Sequence, residues 1–186
     1  MKMEHAAADG PAPHKIEVNL REISQLFNSM DPSPFQEKDL DQDAEEFIVS
    51  WAREYPRNEP VTLLIHISQP AEGTDQTALV KQAVQHYFAY RANLNRLEFK
   101  RLMRQGRTSL IIGVGFLMVC LLISGLLGRV ATGFLQTVCR EGLFIMGWVA
   151  MWRPLEIFLY EWWPVRRLGL TYEKLSHMEV KVITRK

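Results

Sequence analysis

The fold is decided by residues 140–167, REGLFIMGWVAMWRPLEIFLYEWWPVRR, an apolar run broken by an arginine, a proline and a glutamate. The run ends in two tryptophans, a proline and two arginines. A cleaner apolar run, residues 108–128, comes before it and carries no charge. That length fits a hydrocarbon core of about 30 Å, so the run predicts a first transmembrane helix. Together the two runs predict a two-helix transmembrane hairpin.

The position of the second span is open from the sequence. A span at residues 142–163 places Arg153 near the bilayer centre and the aromatic residues after it at the interface. A span at residues 130–152 would bury Arg140 and Glu141 instead and leave an interfacial helix behind it. Three polar residues near the start of that alternative make it less favourable, so we expect the first position.

Each predicted span has a face of small side chains, which lets helices approach closely in lipid. This seam comprises Ser109, Gly113, Cys120, Ser124 and Gly128 on the first span and Gly147 and Ala150 on the second. The opposite face of the second span carries an intramembrane polar group, Arg153, Glu156 and Tyr160. A charge that faces lipid costs at least about 2.5–3.5 kcal/mol. The charges are therefore expected either to pair locally, three residues apart, or to meet a second copy in a homo-oligomer.

Basic residues predict the topology. Residues 91–107 contain six lysines and arginines and residues 166–181 contain four, whereas the predicted external loop, residues 129–141, contains two. The positive-inside rule then places both termini in the cytoplasm. Headgroup contacts are expected from Arg101, Arg104, Arg107, Arg166 and Arg167. Because the basic cluster adjoins a span, it indicates membrane lipids as its partner, and we expect no nucleic-acid binding.

Outside the hairpin the sequence predicts a small α+β cytoplasmic head of βαβ type, residues 15–105, after a disordered tail at residues 1–14. The segment KIEVNL, residues 15–20, alternates as a half-buried strand does, and VTLLIHIS, residues 61–68, is typical of a central strand. A right-handed parallel crossover would join the two strands. In the cytoplasmic C-terminal segment, residues 164–186, alternation at residues 179–185 predicts a possible third strand.

Two helices complete the predicted head. Residues 39–55 form an amphipathic helix capped by Asp39, whose apolar face comprises Leu40, Ala44, Phe47, Ile48, Trp51 and Tyr55. A second helix, capped by Thr74 or Asp75, runs to about residue 105 as a stalk. Its inner stripe comprises Leu79, Val80, Ala83, Tyr87, Phe88, Leu94, Leu97 and Leu102.

Signals for catalysis are weak. The acidic run at residues 39–43 lacks the glycine and glutamate that a calcium-binding loop needs, and neither cysteine has metal-ligand spacing, so no metal or other cofactor is expected. His66 is more typical of a hydrogen-bonded core histidine than of a catalytic one. A site assembled from His66, Glu72, Glu161 and Tyr172 is conceivable, but no spacing demands it.

The pattern WRPxEIFLYEWWP, residues 152–164, resembles that of small uncharacterised bacterial inner-membrane proteins with two spans. The resemblance covers mainly the second span and implies a bacterial plasma membrane. It implies no activity. The leading prediction is a non-enzymatic, oligomeric membrane scaffold or regulatory protein whose head binds an unknown cytoplasmic protein, and the alternative is a small oligomeric channel or transporter that uses Arg153 and Glu156.

Overall fold

A computed structural model describes residues 14–56, 59–68, 77–130 and 133–184, and of residues 36, 128–130, 135, 136 and 184 only the backbone. The strands are β1 (His14–Leu20), β2 (Val61–Ile67) and β3 (Glu179–Thr184). The α-helices are α1 (Gln42–Glu54), α2 (Thr77–Val130), α3 (Phe134–Ala150), α4 (Trp152–Glu156) and α5 (Trp162–Ser176). A π-helical turn, Ile157–Glu161, joins α4 to α5, and short 3₁₀ turns lie at Ile23–Leu26 and Phe35–Glu37.

The three strands form one parallel sheet in the order β1-β2-β3. The parallel pairing expected of the first two strands is present, and so is the third strand, although residue 185 lies outside the described residues. In β2 every second residue from Val61 to Ile67 faces the apolar core. Residues 1–13 of the predicted tail, residues 1–14, also lie outside the described residues, and its last residue, His14, belongs to β1 instead.

The chain divides into two compact units. One, here called the sheet unit, comprises Met1–Leu94 and Leu168–Lys186, and the other, the apolar unit, comprises Asn95–Arg167. The core of the sheet unit combines inward side chains of the strands with Ile48 of α1, Phe88 of α2 and Leu175 of α5, each less than 2% exposed.

Helix α1 begins later than predicted and turns a partly different face to the core, because Leu40, Ala44, Ile48 and Tyr55 lie in or against the core as predicted but Phe47 and Trp51 do not. Its cap is Asp41, whose side chain accepts from the Asp43 N–H at 3.0 Å. Asp39 is not the cap, because its N–H donates to the Asp31 carboxylate at 2.7 Å and its neighbour Leu40 forms a β-bridge with Phe27. The N–H groups of Asp39 and Ser33 both donate to the Asp31 carboxylate, and these hydrogen bonds lower the pKa of Asp31.

The core face of α1 comprises Ile48, Val49 and Ala52, whereas Phe47 and Trp51, which were expected inside, are 42% and 41% exposed. The stripe predicted for α2 is corrected in the same way. Its first part is buried, but Leu94 and Leu97 are 39% and 54% exposed. Leu97 belongs to the apolar unit, so it lies beyond the part of α2 that packs against the sheet.

Helix α2 continues without a break from the sheet unit into the apolar unit, so the predicted stalk and the predicted first span are one helix. It ends at Val130, and α3 begins at Phe134, so residues 134–141, which were expected in the external loop, are helical. The proposed caps Thr74 and Asp75 lie outside the described residues. Beyond Ala150 the predicted second span continues through α4, the π turn and α5.

Two helical stretches, Thr77–Leu127 and Thr137–Ser176, are long and apolar enough to cross a membrane. Their large apolar side chains are widely exposed. The second stretch, from α3 through α5, is here called the return. The exposed side chains are Ile111, Ile112, Met118, Val119, Leu122 and Leu126 on α2, and Phe144, Ile145, Trp148, Val149, Trp152 and Leu159 on the return. Water would disfavour such a continuous apolar surface, whereas a bilayer would not.

The turn before α3 provides the first testable prediction. Gly133 has φ +114° and ψ −170°, a region that is nearly confined to glycine. Gly133→Ala is expected to destabilise the helix pair by about 1–3 kcal/mol through backbone strain alone, since an added Cβ would meet open space. The measurement is the midpoint of unfolding in a titration with a denaturing detergent.

Gly142→Ala is the matched control, because Gly142 is helical in α3 and its Cβ would also meet open space. Alanine there should leave the midpoint unchanged or raise it. An equal loss of stability in both variants would contradict the prediction.

Candidate functional site

The charged residues of the apolar unit form a cluster around Arg153. Its Nη1 donates to Glu156 at 3.0 Å and also to Oε1 of Glu161, and its Nη2 donates to Oε2 of Glu161 at 3.3 Å. The cluster therefore holds one positive and two negative side chains, an excess of one carboxylate. The three side chains remain 48%, 45% and 31% exposed, in that order.

The π-helical turn makes this cluster possible. In a continuous α-helix, residues 153 and 161 would be about 80° apart around the axis, because eight steps of about 100° make about 800°. The wider π turn needs more residues per revolution, so Glu161 returns to the side of Arg153. The Trp162 indole N–H donates to the Phe158 carbonyl at 2.7 Å and braces the end of the turn.

The sequence predicts Arg153, Glu156 and Tyr160 as the polar group and indicates Glu161 only as a member of a catalytic site that no spacing demands. The local ion pair is present, at the predicted spacing of three residues. Tyr160 is 71% exposed and gives none of the cluster's hydrogen bonds among the described residues. The sequence did not predict Glu161 in this cluster, because ideal α-helical spacing separates it from Arg153 and a π turn has no clear sequence signal.

The opposite side of the return packs on α2 through small residues. A Cβ on Gly113 would lie 2.9 Å from the Ala150 carbonyl oxygen, and one on Gly147 would lie 2.6 Å from Leu117 Cδ1 and 3.6 Å from Cys120 Cβ. The structure thus brings together four of the predicted seam residues: Gly113, Cys120, Gly147 and Ala150.

The seam also extends beyond the predicted range. A Cβ on Gly106 would lie 2.9 Å from Ile157 Cγ2. Gly106, Gly113 and Cys120 are seven residues apart, which is the repeat of left-handed helix pairs. Gly106 was missed because it precedes the apolar run, among basic residues.

The remaining seam residues are less closely packed. Ser109 and Ser124 are half-buried, and the surroundings of Gly128 lie outside the described residues. Ser124 borders an open groove of about 830 Å³ between α2 and α3, where Arg140 and Glu141 face apolar side chains.

At the other end of the return, α5 combines aromatic and basic side chains. The guanidinium of Arg166 lies 5.9 Å from the Trp162 ring centre, and that of Arg167 lies 5.3 Å from the Trp163 ring centre. Such pairs hold cations beside aromatic rings, an arrangement typical of a membrane interface. The other predicted headgroup residues, Arg101, Arg104 and Arg107, are exposed on α2.

A second polar cluster links three helices of the sheet unit. The carboxylate of Glu45 on α1 accepts from the hydroxyl of Tyr87 on α2 at 2.6 Å and from that of Tyr172 on α5 at 2.9 Å. Arg91 of α2 donates to Glu45 at 2.8 Å and to the Tyr172 hydroxyl at 3.1 Å. Its guanidinium also lies 5.3 Å from the Tyr172 ring centre.

Electrostatics keep both phenols of this cluster protonated. Burial, followed by the hydrogen bond and the charge of Glu45, raises the pKa of Tyr87 and of Tyr172. Burial lowers the pKa of Arg91, but its hydrogen bond to Tyr172 and the Glu45 carboxylate outweigh burial, so the net shift is upward. The protonated phenols donate to Glu45 and join the three helices, and the cluster is here called the clamp.

Two of the four residues proposed for a catalytic site have other contacts. Tyr172 binds Glu45 and Glu161 binds Arg153, while Glu72 lies outside the described residues. His66, on the outward side of β2, has a buried Nε2 without a hydrogen-bond partner among the described residues, 3.8 Å from Glu17. The described part of the chain also contains no group of three or more side chains placed to hold a metal ion.

Comparison of the chain with protein-family models, with curated proteins and with solved structures gives no significant match. The resemblance of the second span to small two-span inner-membrane proteins therefore stays a prediction.

The seam provides a prediction with a matched control. Gly113→Ala is expected to destabilise the helix pair by about 1–3 kcal/mol, as overpacking does, because a main-chain oxygen cannot move aside as a flexible side chain can. Gly115→Ala should have no such effect, since Gly115 lies on the same helix with open space around it. Thermal unfolding of both variants in mild detergent measures the difference. Equal unfolding temperatures would show that the seam does not hold the helices together.

The tyrosine clamp provides a pH prediction. An unfolded chain loses its phenolic protons near pH 10, whereas the folded state holds those of Tyr87 and Tyr172 to higher pH. The stability from the clamp is therefore complete below about pH 10 and is lost as the pH rises towards the folded-state pKa values. Tyr87→Phe should lower the free energy of unfolding near neutral pH by about 1 kcal/mol and reduce its loss above pH 10.

Tyr90→Phe is the control, because the Tyr90 side chain is 51% exposed. Phenolate absorbance, followed against pH together with protease resistance of the sheet unit, checks the assignment. If Tyr87→Phe and Tyr90→Phe left the same alkaline profile, the clamp would contribute nothing.

Proposed function

We propose that the protein is a non-enzymatic membrane scaffold or regulatory protein that assembles as a homo-oligomer. In this proposal the two long apolar helices form a transmembrane hairpin, and the sheet unit is a cytoplasmic head that binds another protein. The observation that carries the proposal is the exposed cluster of Arg153, Glu156 and Glu161 on a helix whose other face packs against its own chain.

The cost of exposing this cluster to lipid favours assembly. Internal pairing neutralises only one of the two carboxylates, and an unpaired charge at the centre of a span is costly. Three of the five guanidinium N–H groups of Arg153 donate within the chain. The other two are available to a carboxylate of a second copy, which would place the excess charges at a protein interface instead of in lipid.

Location follows from the basic ends of the two apolar helices. The exposed Arg101, Arg104 and Arg107 on α2 suit contacts with anionic headgroups. On α5, Arg166 and Arg167 lie beside tryptophan rings and likewise suit contacts with anionic headgroups. By the positive-inside rule these ends belong in the cytoplasm, and we therefore propose a bacterial plasma membrane with both termini inside.

A surface on α1 is suited to the cytoplasmic partner. Phe47 and Trp51 lie one helical turn apart, with ring centres 6.0 Å from each other, and both are exposed. Exposed aromatic anchors are typical of binding hot spots. The adjacent acidic side chains Asp43, Glu46 and Glu54 are also exposed, so a basic segment would complement this surface.

A small channel or transporter is the alternative, and the excess carboxylate is the observation that favours it. A ring of such carboxylates between copies would attract cations. The two functions differ in what the same cluster does: a scaffold needs it for assembly, and a channel needs it for passage.

Replacing the cluster separates the two functions. The triple variant Arg153→Met, Glu156→Gln and Glu161→Gln keeps side-chain size but removes all three charges. The scaffold proposal expects the oligomer to dissociate while the sheet unit stays protease-resistant, and expects wild-type vesicles to remain ion-tight. Light scattering in mild detergent and ion flux into vesicles are the two measurements, and Glu98→Gln, at an exposed position on α2, is the control.

A wild-type protein that is monomeric in mild detergent and in vesicles would refute the scaffold proposal. Ion flux that the triple variant abolishes without loss of the oligomer would replace it with the channel alternative.

A further inference from the structure

The described helices pack against only one face of the parallel sheet. The side chains that β2 turns to the core, Val61, Leu63, Ile65 and Ile67, share one cluster with α1, α2 and α5. Strand order β1-β2-β3 with crossovers of the usual hand places both connections on the same side of the sheet. All the packed helices therefore cover one face, whereas parallel sheets normally have both faces covered.

The opposite face, here called the outer face, has three rows across the strands. In register they are Lys15-Thr62-Glu179, Glu17-Leu64-Lys181 and Asn19-His66-Ile183. The six residues on β1 and β3 are exposed, and Ile183 is 42% exposed although it is apolar. None of the nine belongs to the apolar core.

The charges on the outer face complement themselves under two-fold symmetry. Along β1 the positive Lys15 comes before the negative Glu17. Along β3 the negative Glu179 comes before the positive Lys181. If two outer faces pack with the axis along the strands, Lys15 meets Glu179 and Glu17 meets Lys181 of the second copy. If the axis runs across the strands midway between the first two rows, Lys15 meets Glu17 and Glu179 meets Lys181. In these two arrangements every contact between charged side chains joins opposite charges.

We propose that the outer face packs against the outer face of a second copy of this chain. The exposed side chains of β1 and β3 make the contact, on either side of the middle column, in which Thr62 and Leu64 are already only 4% and 8% exposed within one chain. A closed two-fold interface of this kind uses the same surface on both copies.

The contact is small, so it depends on the proposed oligomer. Three strands about 4.8 Å apart and about 20 Å long cover roughly 300 Å², well below the roughly 800 Å² per partner of a standard interface. Transmembrane assembly must first bring two sheets together, which raises their effective concentration. The inference thus rests on the homo-oligomer proposed above and adds which surface the heads share.

A mixing experiment tests the contact whichever axis it uses. Lys15→Glu with Lys181→Glu makes all four charged positions of the outer face negative, and Glu17→Lys with Glu179→Lys makes all four positive. Each full-length variant carries a Leu64→Cys substitution in a Cys120→Ala, Cys139→Ser background, and a short thiol crosslinker is applied in native membranes.

We expect efficient crosslinking at position 64 when the charges are wild-type. Either variant alone should lose at least about fivefold in yield, because each rim contact turns from attraction to repulsion. Coexpression of the two variants should restore the yield as mixed dimers. Ser50→Cys on α1, which lies on the helix-covered side, should not crosslink, and Lys81→Glu, at an exposed position on α2, should leave the yield at position 64 unchanged.

Two results would overturn the inference. One is an oligomer, shown by light scattering, without crosslinking at position 64. The other is a pair of variants that stay poorly crosslinked when mixed. The first result leaves the homo-oligomer intact, whereas a monomeric wild-type protein removes both proposals. Coprecipitation of differently tagged charge variants repeats the test without any cysteine, so that a folding defect of Leu64→Cys cannot decide it.

Discussion

The structure depends on the parallel pairing of β2 with β3. Residues 62–67 and 179–184 are hydrogen-bonded neighbours, so everything between them must leave the sheet and return to it. Parallel strands always need a long crossover, and here the crossover contains both apolar helices. The apolar unit is therefore an insertion into the sheet unit rather than an anchor attached to one end of it.

Because the apolar unit is an insertion, the polar clamp connects the helix that leaves the sheet unit with the helix that returns to it. Tyr87 and Arg91 belong to α2, which leaves the sheet unit, and Tyr172 belongs to α5, which returns to it; both meet at Glu45. The buried core holds the same helices without directional contacts, whereas the carboxylate fixes their relative rotation through hydrogen bonds. Because α1 carries Glu45, the clamp joins α1 directly to both of these helices.

Charge placement in the apolar unit follows from one local departure from α-helical geometry. Because the π turn returns Glu161 to Arg153, the chain gathers three charges at one point on an otherwise apolar surface. Glycine contacts on the other side of the helix fix which face packs against α2. The cluster thereby becomes a defined surface feature instead of an isolated charge in a span.

Sequence alone determined what depends on local composition and periodicity. Apolar length predicts two helices able to cross a membrane, alternation predicts β1 and β3, and small residues at helical spacing mark Gly113 and Gly147, since each of these signals lies within a short stretch of chain. Tertiary structure decided the rest. Which side of α1 is buried depends on the elements it packs against, so Phe47 and Trp51 are exposed despite a helical apolar pattern. Likewise the meeting of Glu45 with Tyr172, far apart in the chain, and of Arg153 with Glu161, across a π turn, follows from packing and helix geometry that no local pattern encodes.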